Sequence, residues 1–104
     1  MKLLTKEIMA KLPKLGSMDG KDPTTVPIIV KFFSPYIGWA WYSTEGEQRG
    51  NDWEFFGLVR GLENELGYFT LSELSIKRGL LSLVERDMFF GYKHTLAEAL
   101  KERL

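Results

Sequence analysis

All 14 aromatic residues of this 104-residue chain lie between Phe32 and Tyr92, and none occupies the 31 residues before or the 12 after. Each buried Phe, Tyr or Trp removes roughly 150–250 Å² from water, so this window holds the volume a small core needs. Its periodicity sets the shape. Val26, Ile28, Val30 and Phe32 alternate with Ile29 and Phe33 around a single charge, Lys31. Trp39 and Trp41 share a parity against Gly38, Ala40 and Tyr42. Trp53, Phe55, Gly57 and Val59 alternate with Glu54, Phe56, Leu58 and Arg60. Side chains that repeat every second residue line one face of a strand, so the window predicts a sheet. Gly57 marks a bulge or a close backbone approach within it.

The flanks read differently. Leu4, Ile8, Leu12 and Leu15 recur at helical spacing, which predicts a helix over 3–12 stopped by Pro13 and Gly16. Residues 16–25, GSMDGKDPTT, read as a loop. Strands are expected over 26–33, 38–43, 53–60 and 81–90, with the polar stretch 44–52 as a long hairpin loop. Residues 61–69 fit a turn and short strand, or one helical turn. Thr70-Leu71-Ser72-Glu73 and Thr95-Leu96-Ala97-Glu98 have the form of capping boxes. Helices therefore start at Leu71 and Leu96, the second with Leu100 and Leu104 on its stripe. This order predicts one α+β domain over 1–104: a small twisted antiparallel sheet with the N- and C-terminal helices packed on one face.

Formal net charge is zero, which argues against a strongly basic nucleic-acid binder. The charges are segregated, however. Residues 45–73 hold seven carboxylates against Arg49 and Arg60, an acidic stretch suited to a basic partner. Without cysteine, disulfides, zinc–thiolate sites and thiol nucleophiles are excluded, and a cytoplasmic setting is expected. Lys6, Glu7 and Lys11 interrupt any apolar signal-peptide run, and no segment is long and apolar enough for a membrane span.

The residues that can carry chemistry do not form a catalytic pattern. His94 is the single histidine, no Gly-x-Ser-x-Gly elbow accompanies it, and its place before Thr95 suits a turn. The segment Gly57–Gly61 lacks the Gly-Lys-Ser/Thr ending of a phosphate loop. Glu63, Glu65, Glu85 and Asp87 are the hard oxygen donors that a metal-dependent hydrolase would bring together. Arg86, between Val84 and Met88, needs a carboxylate on so apolar a face, and Glu63 or Glu65 is the expected partner; Arg86→Met is then destabilising. No catalytic residue, metal site or cofactor is assigned. Binding is assigned to the acidic stretch and its aromatics: Trp41, Glu45, Glu47, Asp52, Trp53 and Tyr68. Aromatics on a sheet also fit single-stranded nucleic acid, with bases stacked on exposed rings.

The run Phe55-Phe56-Gly57-Leu58-Val59, followed by Gly61, Glu63, Glu65-Leu66-Gly67-Tyr68-Phe69, Leu71, Glu73-Leu74 and Glu85-Arg86-Asp87, resembles a family of short bacterial proteins known as a domain of unknown function. Phe32-Phe33 and Trp39-Ala40-Trp41-Tyr42 fit the same likeness, which spans about residues 26–100. The resemblance implies a setting rather than an activity: plasmids, phages and integrative elements. The expected function is thus a non-catalytic protein-binding accessory protein of a mobile element, with a host or element protein as partner and host defence or element maintenance as its process. Nucleic-acid binding and the carboxylate hydrolase stand as alternatives.

Overall fold

The computed structural model describes residues 2–91 and 93–101. Five strands form one antiparallel sheet: β1 (Val30–Phe33), β2 (Ala40–Arg49), β3 (Asp52–Arg60), β4 (Asn64–Thr70) and β7 (Glu85–Arg86), in the order β4-β3-β2-β1-β7. A separate hairpin joins β5 (Lys77–Arg78) to β6 (Leu81–Ser82). Three helices complete the α+β fold: α1 (Lys6–Lys11), α2 (Leu71–Leu74) and α3 (Leu96–Lys101). A 3-10 turn covers Pro23–Thr25. Leu104, the last residue of the expected helical stripe, lies outside the described residues.

The stretch 44–52, expected as a loop, is strand almost throughout. β2 runs to Arg49, and the reversal takes only Gly50 and Asn51. Gly50 lies at φ +61°, the left-handed conformation that tight hairpin turns require. Conversely, the expected strand 81–90 is interrupted. Asp87 Oδ1 accepts the Phe89 N–H at 3.0 Å, a local turn that bends the chain away after Arg86. Residues 61–69 take the turn-and-strand alternative, as β4.

Both faces of the sheet are apolar at the centre, so both need cover. Val30, Phe32, Trp41, Phe55 and Phe69 form one cluster with Leu4 and Leu12, against which Ile8 and Met9 of α1 pack. Leu71 and Leu74 of α2 join the same side. Tyr42, Leu58, Val26 and Ile28 form the other cluster, with Leu96 and Ala99 of α3. Trp41 and Tyr42 are consecutive and point oppositely, so the terminal helices lie on opposite faces. This corrects the expected one-sided packing. Its physical cause is the second apolar row, Tyr42 and Leu58, each at most 1% exposed.

A bulge in β2 decides where the acids go. Ser43 pairs with Gly57, but Glu45, not Thr44, pairs with Phe56. One extra residue flips the side chains beyond it to the other face. Gly46 thereby meets Phe55 and Leu12 on the α1 side, while Glu45 and Glu47 turn to the α3 side. Gly57 permits this, because a Cβ there would overlap the Tyr42 carbonyl oxygen.

Candidate functional site

Glu45 and Glu47 were expected to face a partner, yet they face their own chain. Glu45 is 2% exposed. Its Oε1 accepts the Gly16 N–H at 2.8 Å and its Oε2 the Met18 N–H at 2.7 Å. Glu47 Oε1 accepts the Leu15 N–H at 2.8 Å, and the Gly46 N–H donates to the Pro13 carbonyl at 2.9 Å. Gly16, at φ +91°, helps the loop point successive N–H groups inward, forming a concavity that receives an anion. Both carboxylates are therefore anchors for the segment that leads from α1 on one face to Met18 on the other. Ser43 Oγ donates to the Glu45 carbonyl at 2.9 Å and steadies the bulge.

Asp52 is also an internal acceptor. Ser72 Oγ donates to its Oδ2 at 2.6 Å, and the Ser72 and Trp53 N–H groups donate to its Oδ1 at 3.1 and 2.8 Å. The Ser72 hydroxyl bond leads in holding its carboxyl below the ordinary aspartate value, and the Trp53 N–H adds to it. Asp52 thus ties the β2–β3 turn to the start of α2, whose cap is the expected one, with the Glu73 N–H donating to Thr70 Oγ1 at 3.2 Å.

The predicted aromatics divide sharply. Trp41 is 9% exposed within the α1-side core. Trp53 packs against that core at Gly46, and its indole N–H is buried without a hydrogen-bond partner among the described residues. Tyr68 alone of the three is open, at 65% exposure. It touches the half-buried Phe56 edge-on, with ring centroids 4.9 Å apart. Leu66, two residues back on the same face, is 47% exposed. Leu62, in the turn just before β4, is 94% exposed, and Glu63 and Glu65 are exposed beside it. β4 is an outer strand of the sheet, so this apolar and acidic flank borders an open edge.

Arg86 does not meet Glu63 or Glu65. It pairs with Phe32 on β7, at one edge of the sheet, while Glu65 pairs with Val59 on β4, at the other. Strands are about 4.8 Å apart, and three strands separate the two. Arg86 is half-buried, and its Nε has no hydrogen-bond partner among the described residues. The adjacent Asp87 bonds instead with Lys31, at 3.6 Å. The same geometry separates the four proposed metal donors, two per edge. No group of three or more His, Asp or Glu side chains converges among the described residues. A cleft of about 620 Å³ lies between α2, the β5–β6 hairpin and residues 2–4, and of the predicted site residues only Glu85 lines it.

His94 serves the α3 cap. Its Nδ1 lies 3.3 Å from Glu98 Oε2, and its ring rests on Phe90 with centroids 4.5 Å apart. The Glu98 N–H donates to Thr95 Oγ1 at 3.3 Å, completing the expected box. The hydrogen bond from His94, followed by that from the Thr95 N–H, lowers the Glu98 carboxyl from its ordinary value.

No helix among the described residues is long and apolar enough to cross a membrane. No curated protein and no solved structure matches the chain. The family described as "Protein of unknown function (DUF2958)" matches residues 3–102. That match takes in α1, all seven strands and α3, and the chain belongs to this family.

Proposed function

We propose that this chain is a non-catalytic protein-binding accessory protein that docks its partner along the outer flank of β4. The carrying observation is the exposure of Leu62, Leu66 and Tyr68 beside the outer edge of β4, which pairs with no further strand among the described residues. Large apolar and aromatic side chains dominate interface energies, and an open edge adds backbone donors and acceptors. Glu63 and Glu65 on the same flank favour a partner segment carrying Lys or Arg. The setting on a bacterial mobile element, a cytoplasmic location and an action on host defence or element maintenance belong to this proposal and derive from the family resemblance.

Single-stranded nucleic acid is the weaker reading. Stacking needs exposed rings flanked by cations. Phe32, Phe55, Phe69, Trp41 and Tyr42 are buried. Tyr68 borders a hollow with Arg49 and Glu54, whose charges face each other at 3.7 Å. The test is affinity capture from host lysate with the wild type and with Tyr68→Lys, an exposed position whose change leaves the core alone. A specific partner lost in the variant is expected. Equal yields from the two proteins, or no partner at all, would overturn the reading.

A further inference from the structure

Sheet edges are usually blunted by shortness, Pro, Lys or cover. β7 follows that rule with two residues. β4 does not: it has seven residues, NELGYFT, with neither Pro nor Lys, and no strand pairs with its outer side among the described residues. Resting on the reading of this flank as a protein-docking edge, we propose that its occupant is β4 of a second copy, paired antiparallel about a two-fold axis through Gly67.

The register follows from the chain itself. A two-fold axis perpendicular to the sheet sets each residue opposite one of the same face. Centred on Gly67, it pairs Leu66 with the copy's Tyr68, Glu65 with the copy's Phe69 and Asn64 with the copy's Thr70. Every residue of the strand then has a partner. Centring on Leu66 or Tyr68 leaves one end unpaired, and centring on Glu65 sets like charges face to face, which is destabilising.

The side chains on the α3 side fit this arrangement. Leu58 pairs with Leu66, and Phe56 with Tyr68. Across the axis the row reads Leu58, Leu66, the copy's Tyr68, the copy's Phe56, and symmetry repeats it. Two continuous apolar rows thus link the exposed Leu66 and Tyr68 to Leu58, which is 0% exposed in the core. On the α1 side, Gly57 pairs with Gly67, so a row of glycines crosses the axis and leaves room for close approach. In this register each Glu65 faces an aromatic ring rather than its own copy, which keeps the two acidic side chains apart.

The chain has no cysteine, so single cysteines report the register cleanly. A Cβ at Gly67 meets nothing within 4 Å, so Gly67→Cys is sterically free. Opposed residues in an antiparallel ladder have Cα atoms about 4.5–5.5 Å apart, inside the span of about 4.4–6.8 Å that a disulfide bridges. Under mild oxidation Gly67→Cys is expected to give a covalent dimer, while Asn64→Cys, whose copy lies several residues away, stays monomeric. Sedimentation of the unmodified wild type across a concentration series, which needs no variant, is expected to show a dimer that Tyr68→Lys dissociates. A wild type that stays monomeric, or equal crosslinking of the two cysteine variants, would overturn the proposal. A monomeric wild type that still captures a partner through Tyr68 would sink the second copy alone. Dimerisation without any captured partner would remove the heterologous partner and leave the second copy standing.

Discussion

The molecule contains two Glu-x-Glu pairs of identical spacing, Glu45/Glu47 and Glu63/Glu65, and they have opposite fates. The first pair lies where β2 has outrun β1, and the segment 13–18 fills the vacated edge with backbone donors. The second flanks and enters β4, where no donor segment crosses among the described residues, and both side chains remain in solvent. Spacing therefore did not decide the role. The difference is which edge a chain segment covers. A carboxylate with N–H groups converging on it becomes architecture, and one left on an open edge stays on the surface.

Breaking this contrast should have its largest effect at Glu45. Glu45→Ala removes two charge-assisted hydrogen bonds and leaves a cavity where the buried carboxylate had met the Gly16 and Met18 N–H groups, at a cost of about 3 kcal/mol. A urea melt that moves little would contradict the anchoring role. Arg86 sharpens the contrast from the other side, as a half-buried guanidinium whose Nε has no hydrogen-bond partner among the described residues. Arg86→Met should be neutral or stabilising by about 1 kcal/mol, the reverse of what an ion pair with Glu63 or Glu65 demands. A thermal melt distinguishes the two signs.

Asp52 gives a pH-dependent contribution. Its carboxyl is held below the ordinary value of 3.8 in the folded chain, chiefly by the Ser72 hydroxyl bond, so the folded state binds that proton more weakly than the unfolded state. The stabilisation is full above the ordinary value and is lost as pH falls through the lowered one. Asp52→Asn should flatten that part of the acid-unfolding curve and leave the neutral region parallel; an unchanged acid limb would refute it. The smallest effect belongs to the exposed pair. Glu65→Ala should shift stability by no more than about 0.5 kcal/mol, and a larger loss in the same urea assay would mean that β4 carries internal contacts of its own.

Much of the framework was legible in the residues. Alternation in Trp53–Arg60 exposed β3, an interior strand, because each face meets a different cluster, and Thr70 and Thr95 marked their helices because a capping hydroxyl acts locally. Gly57 announced a bulge or close approach, and both occur there. What failed was everything that depends on a distant segment. The stretch 44–52 looked like a loop because its polar residues pair with donors about 30 positions away rather than with neighbours. The terminal helices were assigned one face because a strand's parity does not say which distant helix covers it. Arg86 and Glu65 lie on the same face, but strand order, invisible in a single sequence, places them at opposite edges. Among the predicted binding residues, Tyr68 kept its exposure because β4 is an edge, and Leu62 and Leu66 were missed although they flank it in the same segment.

Amide hydrogen exchange on the wild type tests the contrast between the two acid pairs most directly. The account predicts that the Leu15, Gly16 and Met18 amides are strongly protected in dilute protein, and that raising the concentration or adding the captured partner adds protection within 64–70. Rapid exchange at the three loop amides, or new protection over 15–18 and 45–52 instead of β4, would contradict it.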